Sequence, residues 1–380
     1  MKKITGRHFI ICLLALLHIG PLKAQDSSHL RISLLTCTPG EELYSTFGHS
    51  AFRIVDSSSV SDIVYNYGTF DFDEDGFYIK FMRGKLLYYI SAERFDDFKN
   101  LYELTNRGIT EQVLNLTAAE KIAIQDFLTN NLKKENRHYK YDFFFDNCTT
   151  RLRDIIKKKH DAAFCQIAVM PKGTKFRQAI HAYLDKNNKD WSKLGIDILL
   201  GLPCDAVMTS EQMQFLPDNL MKSLDSSKNS VQSTQQLYPF QKKTSDSFFT
   251  PLVVFTLLFI AIVIISLLNV KWAAIFISRF SGLYFFITGL LGILLLLMWF
   301  YTDHSMTKNN FNLLWAWPTH AFFAFFITSK KNWVKKYFSI VAIGLFLVLA
   351  AWFFLPQQMN NALIPLILLQ IFLAVKKLYQ

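Results

Sequence analysis

Cysteine is scarce in this chain, with five residues in 380. One of them, Cys12, lies inside an apolar N-terminal run. If Cys148 is kept free for chemistry, Cys37, Cys165 and Cys204 can form at most one bridge among themselves, which excludes a disulfide framework. Cys165–Cys204 stays open as that pair, because spacing alone does not decide it. Acidic residues are also short: 30 Asp and Glu stand against 41 Lys and Arg, for a formal net charge of +11. An excess of that size suggests nucleic acid first. Its distribution argues against nucleic acid, because much of it sits in short Lys/Arg clusters at the ends of apolar segments, where membrane orientation accounts for it. Metal-ligand spacing among His, Cys, Asp and Glu is lacking, so neither a metal site nor a cofactor is expected. A cell-wall-binding repeat is lacking as well.

What the chain has in plenty is apolar residues, 51% of the total, placed unevenly. Residues 26–247 are mixed and charged, whereas 248–376 are dominated by Phe, Leu, Ile, Val and Trp. The start has the layout of a secretory signal peptide: Met1-Lys2-Lys3 with Arg7, an apolar run from Phe9 to Leu17, then Pro21, with Leu22 and Ala24 as the −3 and −1 residues. Five apolar segments lie near 248–269, 281–301, 310–328, 337–355 and 360–375. Each approaches the roughly 20 residues that cross a bilayer core. Lys271 and Arg279 lie between the first pair, Lys330, Lys331, Lys335 and Lys336 between the third and fourth, and Lys376 and Lys377 after the fifth. The positive-inside rule makes these loops and the C-terminus cytoplasmic. It also puts the 26–247 region outside, in agreement with the signal peptide. The expected organisation is a signal peptide over 1–25, a periplasmic domain over 26–221, a linker over 222–247 and an inner-membrane domain of five helices over 248–380.

Within the periplasmic region, Arg31–Cys37, Ala51–Val55, Asp62–Tyr67, Leu86–Ser91 and Thr110–Leu116 carry the β-branched, aromatic or alternating pattern of strands. Phe77–Gly84 reads as a short helix. Thr117 and Glu120 form a capping box that opens a helix running to about Lys134. Asp146–Lys159 is the next helix, with Leu152, Ile155 and Ile156 as its core stripe. One or two more helices fall in 173–200. The region is α+β in class.

A thiol acts as a nucleophile only as its thiolate, which a helix N-terminus and a neighbouring imidazole both favour. The run Asp146-Asn147-Cys148-Thr149-Thr150-Arg151 puts Cys148 in the first turn of a helix, among polar cap formers. Asn147 can cap that helix, and free backbone N–H groups beside it can serve an oxyanion. The candidate base is His49, at the start of a strand and directly after Gly48, which allows close approach. A third group usually orients such an imidazole. Asn66 is favoured for that place, with Asp146 and Ser45 as alternatives, and Tyr44 can add an oxyanion donor. Further polar residues are candidates for substrate contact: Ser45, Tyr67, Asp146 and Arg151 near the motifs, His304 in a short outer loop, and His320 inside an apolar segment. Arg53, Lys80, Arg83 and Lys85 either meet a phosphate head group or form a solvated face. Tyr88, Tyr89 and Phe77–Phe81 either line an acyl groove or are ordinary core.

A strand His followed much later by a helix-opening Cys is the reverse of the ordinary papain order. It resembles the circularly permuted papain-like (NlpC-like) group, which includes lecithin:retinol acyltransferase-like proteins. The runs Leu35–Ser50, Tyr65–Phe72, Tyr141–Arg151 and Gly195–Gly201 more closely resemble the periplasmic domain that defines the Bacteroides-type lipoprotein N-acyltransferases. The run Asn312–His320 is similar to their C-terminal part. The resemblance implies an acyltransferase with a permuted papain-like domain. Its donor would be a membrane phospholipid, its intermediate a Cys148 thioester, and its acceptor the N-terminal cysteine amine of diacylated lipoproteins. Two other readings stand beside it: a periplasmic cysteine peptidase or amidase, and a non-catalytic lipoprotein-binding membrane protein.

Overall fold

The computed structural model describes residues 28–239, 248–268 and 270–379. The expected signal peptide, Cys12 included, lies outside the described residues. The N-terminal domain is built on one seven-stranded antiparallel sheet: β1 (Leu30–Cys37), β2 (His49–Asp56), β3 (Ser61–Thr69), β4 (Leu87–Arg94), β5 (Ile109–Leu114), β6 (His138–Lys140) and β7 (Val231–Tyr238). The strand order is β6-β4-β3-β2-β1-β5-β7.

Alternation along the strands decides what covers each face. Ile32, Leu34, Phe52, Ile54, Tyr65 and Tyr88 pack against the helices Ala118–Leu132, Cys148–Lys159 and Pro217–Ser226, through Ile124, Leu128, Leu152, Ile156, Leu220 and Leu224. On the other face Leu35, Cys37, Ala51 and Val64 pack against Phe98 and Tyr102 of the helix Phe95–Leu104. The Thr117–Glu120 capping box forms as the sequence requires. Residues 173–200 hold two helices, Phe176–Lys186 and Asp190–Leu199.

Of the expected linker, residues 240–247 lie outside the described residues, and 222–239 do not behave as a simple linker. The helix Pro217–Ser226 runs past residue 221, and residues 231–238 form β7, antiparallel to β5. The strand is polar because it is the sheet edge and most of it is exposed. Its backbone is held by the ladder, so its Ser, Thr and Gln side chains leave no apolar pattern to read.

The C-terminal region is helical: Pro251–Leu267, Lys271–Phe300, Asn332–Ala350 and Leu363–Leu378. Lys271–Phe300 and Asn332–Ala350 are long and apolar enough to cross a membrane. The second helix starts ten residues earlier than the apolar run near 281 indicated, because it includes the Lys271 and Arg279 stretch. The segment expected over 310–328 is not one continuous helix. It is a 3-10 turn at Phe311–Leu314, a short helix at Thr319–Phe323 and a further 3-10 turn at Ala324–Phe326. Pro318 removes a backbone donor and disfavours helix at Trp317.

Two loops of this region dock on the N-terminal domain. Asn310 Nδ2 donates to the Ile198 carbonyl at 2.8 Å, and Asn312 Nδ2 to the Asp197 carbonyl at 3.0 Å. From the later loop, Gln357 Nε2 donates to the Leu200 carbonyl and Asn360 Nδ2 to Asp197 Oδ2. Behind them Arg177, fully buried, donates to Asp197 at 2.9 Å and to Asp205 at 3.1 Å. Gly201 is required at this junction by contact alone: a Cβ there would stand 1.9 Å from the Lys308 carbonyl oxygen.

Candidate active site

The site forms where the first residue of β2 meets the first residue of the Cys148–Lys159 helix. Gly48, with φ of 80°, turns the chain into β2, and a Cβ on it would lie 2.6 Å from the Cys37 carbonyl oxygen. That close approach fixes His49 opposite Cys37 in the β1–β2 register. The helix is tied to the same strand by Ser50 Oγ and Thr149 Oγ1, 3.1 Å apart and both buried.

Asn147 caps the helix in both directions. Its Oδ1 accepts from the Thr150 N–H at 2.8 Å, and its own N–H donates to Thr150 Oγ1 at 2.8 Å. Its Nδ2 donates to the Phe143 and Phe215 carbonyls at 2.7 and 2.9 Å. Asn147 is therefore consumed in holding the helix start. Because the cap uses the Thr150 N–H, the earlier amides of the first turn lack intrahelical partners.

The Cys148 thiol lies within hydrogen-bonding reach of the His49 imidazole and the Ser50 amide. Burial pushes the thiol up, but the charge and hydrogen bond of His49, the Ser50 N–H and the Thr149 hydroxyl outweigh it, bringing the thiol down from 9.0 to about 7. His49 moves the other way. Burial lowers its imidazole, and the Cys148 thiolate, its hydrogen bond and Asn66 together raise it above 6.5. The two shifts describe one preference, a thiolate–imidazolium pair.

Asn66 is the third member. His49 Nε2 and Asn66 Oδ1 are 3.0 Å apart, and Asn66 Nδ2 donates to Glu93 Oε1 at 2.8 Å. The carboxylate settles the orientation of the amide, since only the NH2 can donate to it. Asn66 Oδ1 then faces His49 and accepts from Nε2–H, which leaves Nδ1 for exchange with the thiol. Glu93 was not singled out from the sequence. It sits on β4 opposite Val64, next to the pairing of Asn66 with Ser91, so only the β3–β4 register could have found it.

The other candidates separate from this centre. Arg151 forms a two-point pair with Asp146 at 2.6 and 2.8 Å, and its guanidinium lies 3.5 Å over the Tyr139 ring. Tyr67 donates to Asn131 from the core, and Ser45 donates to the Glu42 carbonyl to close its turn. Tyr44 is 68% exposed and lies edge-on to Phe70. His304 Nε2 lies 3.1 Å from the Met82 carbonyl, at the contact with the helical region. His320 is buried between Tyr337 Oη at 2.6 Å and Gln370 Nε2 at 2.8 Å, a tie between apolar segments. Cys37, Cys165 and Cys204 are buried free thiols, and Cys165 and Cys204 lie in different core clusters. Among the described residues no group of three or more His, Cys, Asp or Glu is placed to hold a metal ion.

No curated protein and no solved structure matches the chain. Two family models do. Residues 21–171 match the Lnb N-terminal periplasmic domain, which includes His49, Asn66, Glu93 and Cys148. Residues 243–380 match the Lnb transmembrane domain. The two matches, one over the domain that carries the thiol–imidazole pair and one over the helical region behind it, support the Lnb family.

Proposed function

We propose that the protein is a phospholipid-dependent lipoprotein N-acyltransferase with Cys148 as nucleophile and His49 as acid and base. The observation that carries the reading is the thiol brought down to about 7 at a helix start, beside an imidazole oriented by Asn66. This is the state a nucleophilic thiol needs at neutral pH.

In the first half-reaction the Cys148 thiolate attacks the carbonyl carbon of a phospholipid ester. A C–S bond forms, the ester C–O bond breaks, and the departing alkoxide takes the proton held by His49. The products are a Cys148 thioester and a lysophospholipid. In the second, the α-amine of a diacylated lipoprotein attacks the thioester. A C–N bond forms and the C–S bond breaks, while His49 takes the amine proton and the thiolate is restored. The first-turn amides near Cys148 are placed to receive the oxyanion of each tetrahedral intermediate. His320 and His304 have roles in packing and docking, and Arg151 and Asp146 stiffen the turn before the nucleophile.

The membrane supports this assignment more than a peptidase. Both substrates are held in the outer leaflet, and outer loops dock the catalytic domain on the helical region, so both reactants are concentrated at the site. Five crossings with a cytoplasmic C-terminus, the third through the broken segment between Phe311 and Phe326, agree with the loop charges. The test uses purified full-length protein in phospholipid vesicles with a diacylated lipoprotein. Mass spectrometry of the N-terminal lipopeptide will show a third acyl group with wild type and none with Cys148→Ser. A free α-amine after incubation with wild type overturns the reading.

A further inference from the structure

The short helix Phe77–Met82 exposes an unusual amount of apolar surface for its length. Tyr78 is 80% exposed, and Ile79, Phe81 and Met82 are exposed beside it, with Phe72 just before them. Patches of this kind mark an interaction surface.

Three observations say what covers this one. The first is its attachment. The Asp303 N–H donates to the Arg83 carbonyl at 2.9 Å, and the His304 ring reaches the Phe81 and Met82 carbonyls at 3.2 and 3.1 Å. Asp303 and His304 follow Trp299-Phe300-Tyr301 after one residue, Thr302, at the aromatic end of the helix Lys271–Phe300, which is long and apolar enough to cross a membrane. Aromatic residues at a span end mark the head-group level. The exposed helix is thus fastened at that level. The second is charge. Arg83 and Lys85, both exposed, stand beside Asp303 with Lys140, whose Nζ is 3.1 Å from that carboxylate. The acidic residues Asp71, Asp73, Glu74 and Asp75 lie in the loop before the helix, at its other end, where Glu74 pairs with Lys80 at 2.7 Å. Basic groups next to an apolar face suit a phosphate layer over acyl chains.

The third is continuity with the thiol. Phe77 packs on Phe70 at 5.9 Å, Phe70 on Tyr88 at 5.2 Å, and Tyr88 stacks on Tyr141 at 4.4 Å. At the end of that row a Cβ on Gly68 would stand 3.7 Å from both Tyr141 Cε2 and Cys148 Cβ. The absent side chain keeps the last ring next to the nucleophile. One row of aromatic rings therefore runs from the exposed helix to Cys148.

We infer that Phe72 and residues 77–85 dock in the outer leaflet and that the Phe77–Phe70–Tyr88–Tyr141 row is the wall along which a phospholipid acyl chain reaches Cys148. The second half of this inference rests on the acyltransferase reading; the docking half does not.

The test places a nitroxide spin label at Ile79→Cys in full-length Cys148→Ser protein, reconstituted in phosphatidylethanolamine–phosphatidylglycerol vesicles. Cys37, Cys165 and Cys204 are buried, so the protein without Ile79→Cys serves as the labelling blank. The label is expected roughly 5–10 Å below the phosphates, colliding with dissolved oxygen more than with a water-soluble nickel chelate. A label at Leu104→Cys, a site 87% exposed, is expected to show the reverse. Equal chelate access at both positions overturns the docking. Separately, Ile79→Glu with Phe81→Glu is expected to slow acylation of Cys148 from vesicle phospholipid about tenfold or more. An unchanged rate overturns the acyl route. A wild type that never acquires an acyl group overturns the acyltransferase reading instead, and leaves the depth measurement standing.

Discussion

At the scale of single residues, the site is a chain of four side chains, each set by the next: Cys148, His49, Asn66 and Glu93. The thiol at about 7 gives a direct pH signature. A thiol whose folded value is depressed reacts as thiolate above that value and loses the form as pH falls through it. Alkylation of Cys148 by iodoacetamide is therefore predicted to rise with pH through an inflection near 7, below the ordinary thiol value of 9.0. In His49→Ala burial acts without its main opponent, so the inflection moves to or above the ordinary value. Glu93→Leu frees the Asn66 amide to rotate and moves the inflection part of the way. An inflection unchanged in His49→Ala would refute the pairing. Cys148 and His49 were legible in the sequence because a cap-rich helix start and a Gly-flanked strand start are local patterns. Asn66 was legible only among alternatives. Glu93 was not legible, since its contact depends on the pairing of β3 with β4, interrupted by a register shift between Asn66 and Thr69. Tyr44, a candidate by position, turns outward onto Phe70 because its 3-10 turn is closed by Ser45 on Glu42.

At the scale of elements, the placement of Cys148 depends on how its helix begins. Asn147 makes two reciprocal bonds to Thr150 and satisfies the half-buried Phe143 carbonyl and the buried Phe215 carbonyl. Asn147→Ala removes a cap and leaves those carbonyls unpaired, for a predicted loss of about 2–4 kcal/mol in stability. Chemical denaturation of the full-length protein in detergent measures it; a loss below about 0.5 kcal/mol would show the cap to be dispensable. Elements with a strong period or a cap were legible, among them β1, β2 and the Thr117–Glu120 helix start. Strand β7 was not, because an exposed edge strand is held by backbone bonds and has little apolar face to alternate. The segment over 310–328 departs from one continuous helix for the opposite reason. Its apolar content suits a span, while Pro318 and the outward-bonded Asn310 and Asn312 break the helix.

At the scale of the whole molecule, a sheet domain that carries the thiol–imidazole pair is fastened to a helical region at two loops. The buried Arg177, Asp197 and Asp205 cluster organises one side of that junction, and Asn312, Gln357 and Asn360 reach it from the other. The division into two regions was legible from the apolar distribution alone. The junction was not, because it is made of short-range polar bonds between segments far apart in the chain. It explains why the thiol belongs at a membrane surface, which is the central claim. The most direct test of that claim is the intact mass of the full-length protein after incubation with phospholipid vesicles alone, with no lipoprotein present. The account predicts a mass increase of one fatty acyl group, mapped to Cys148, removed by neutral hydroxylamine as a thioester is, and absent in Cys148→Ser. A wild-type protein whose mass stays unchanged, or an acyl group mapped to another residue, would contradict it.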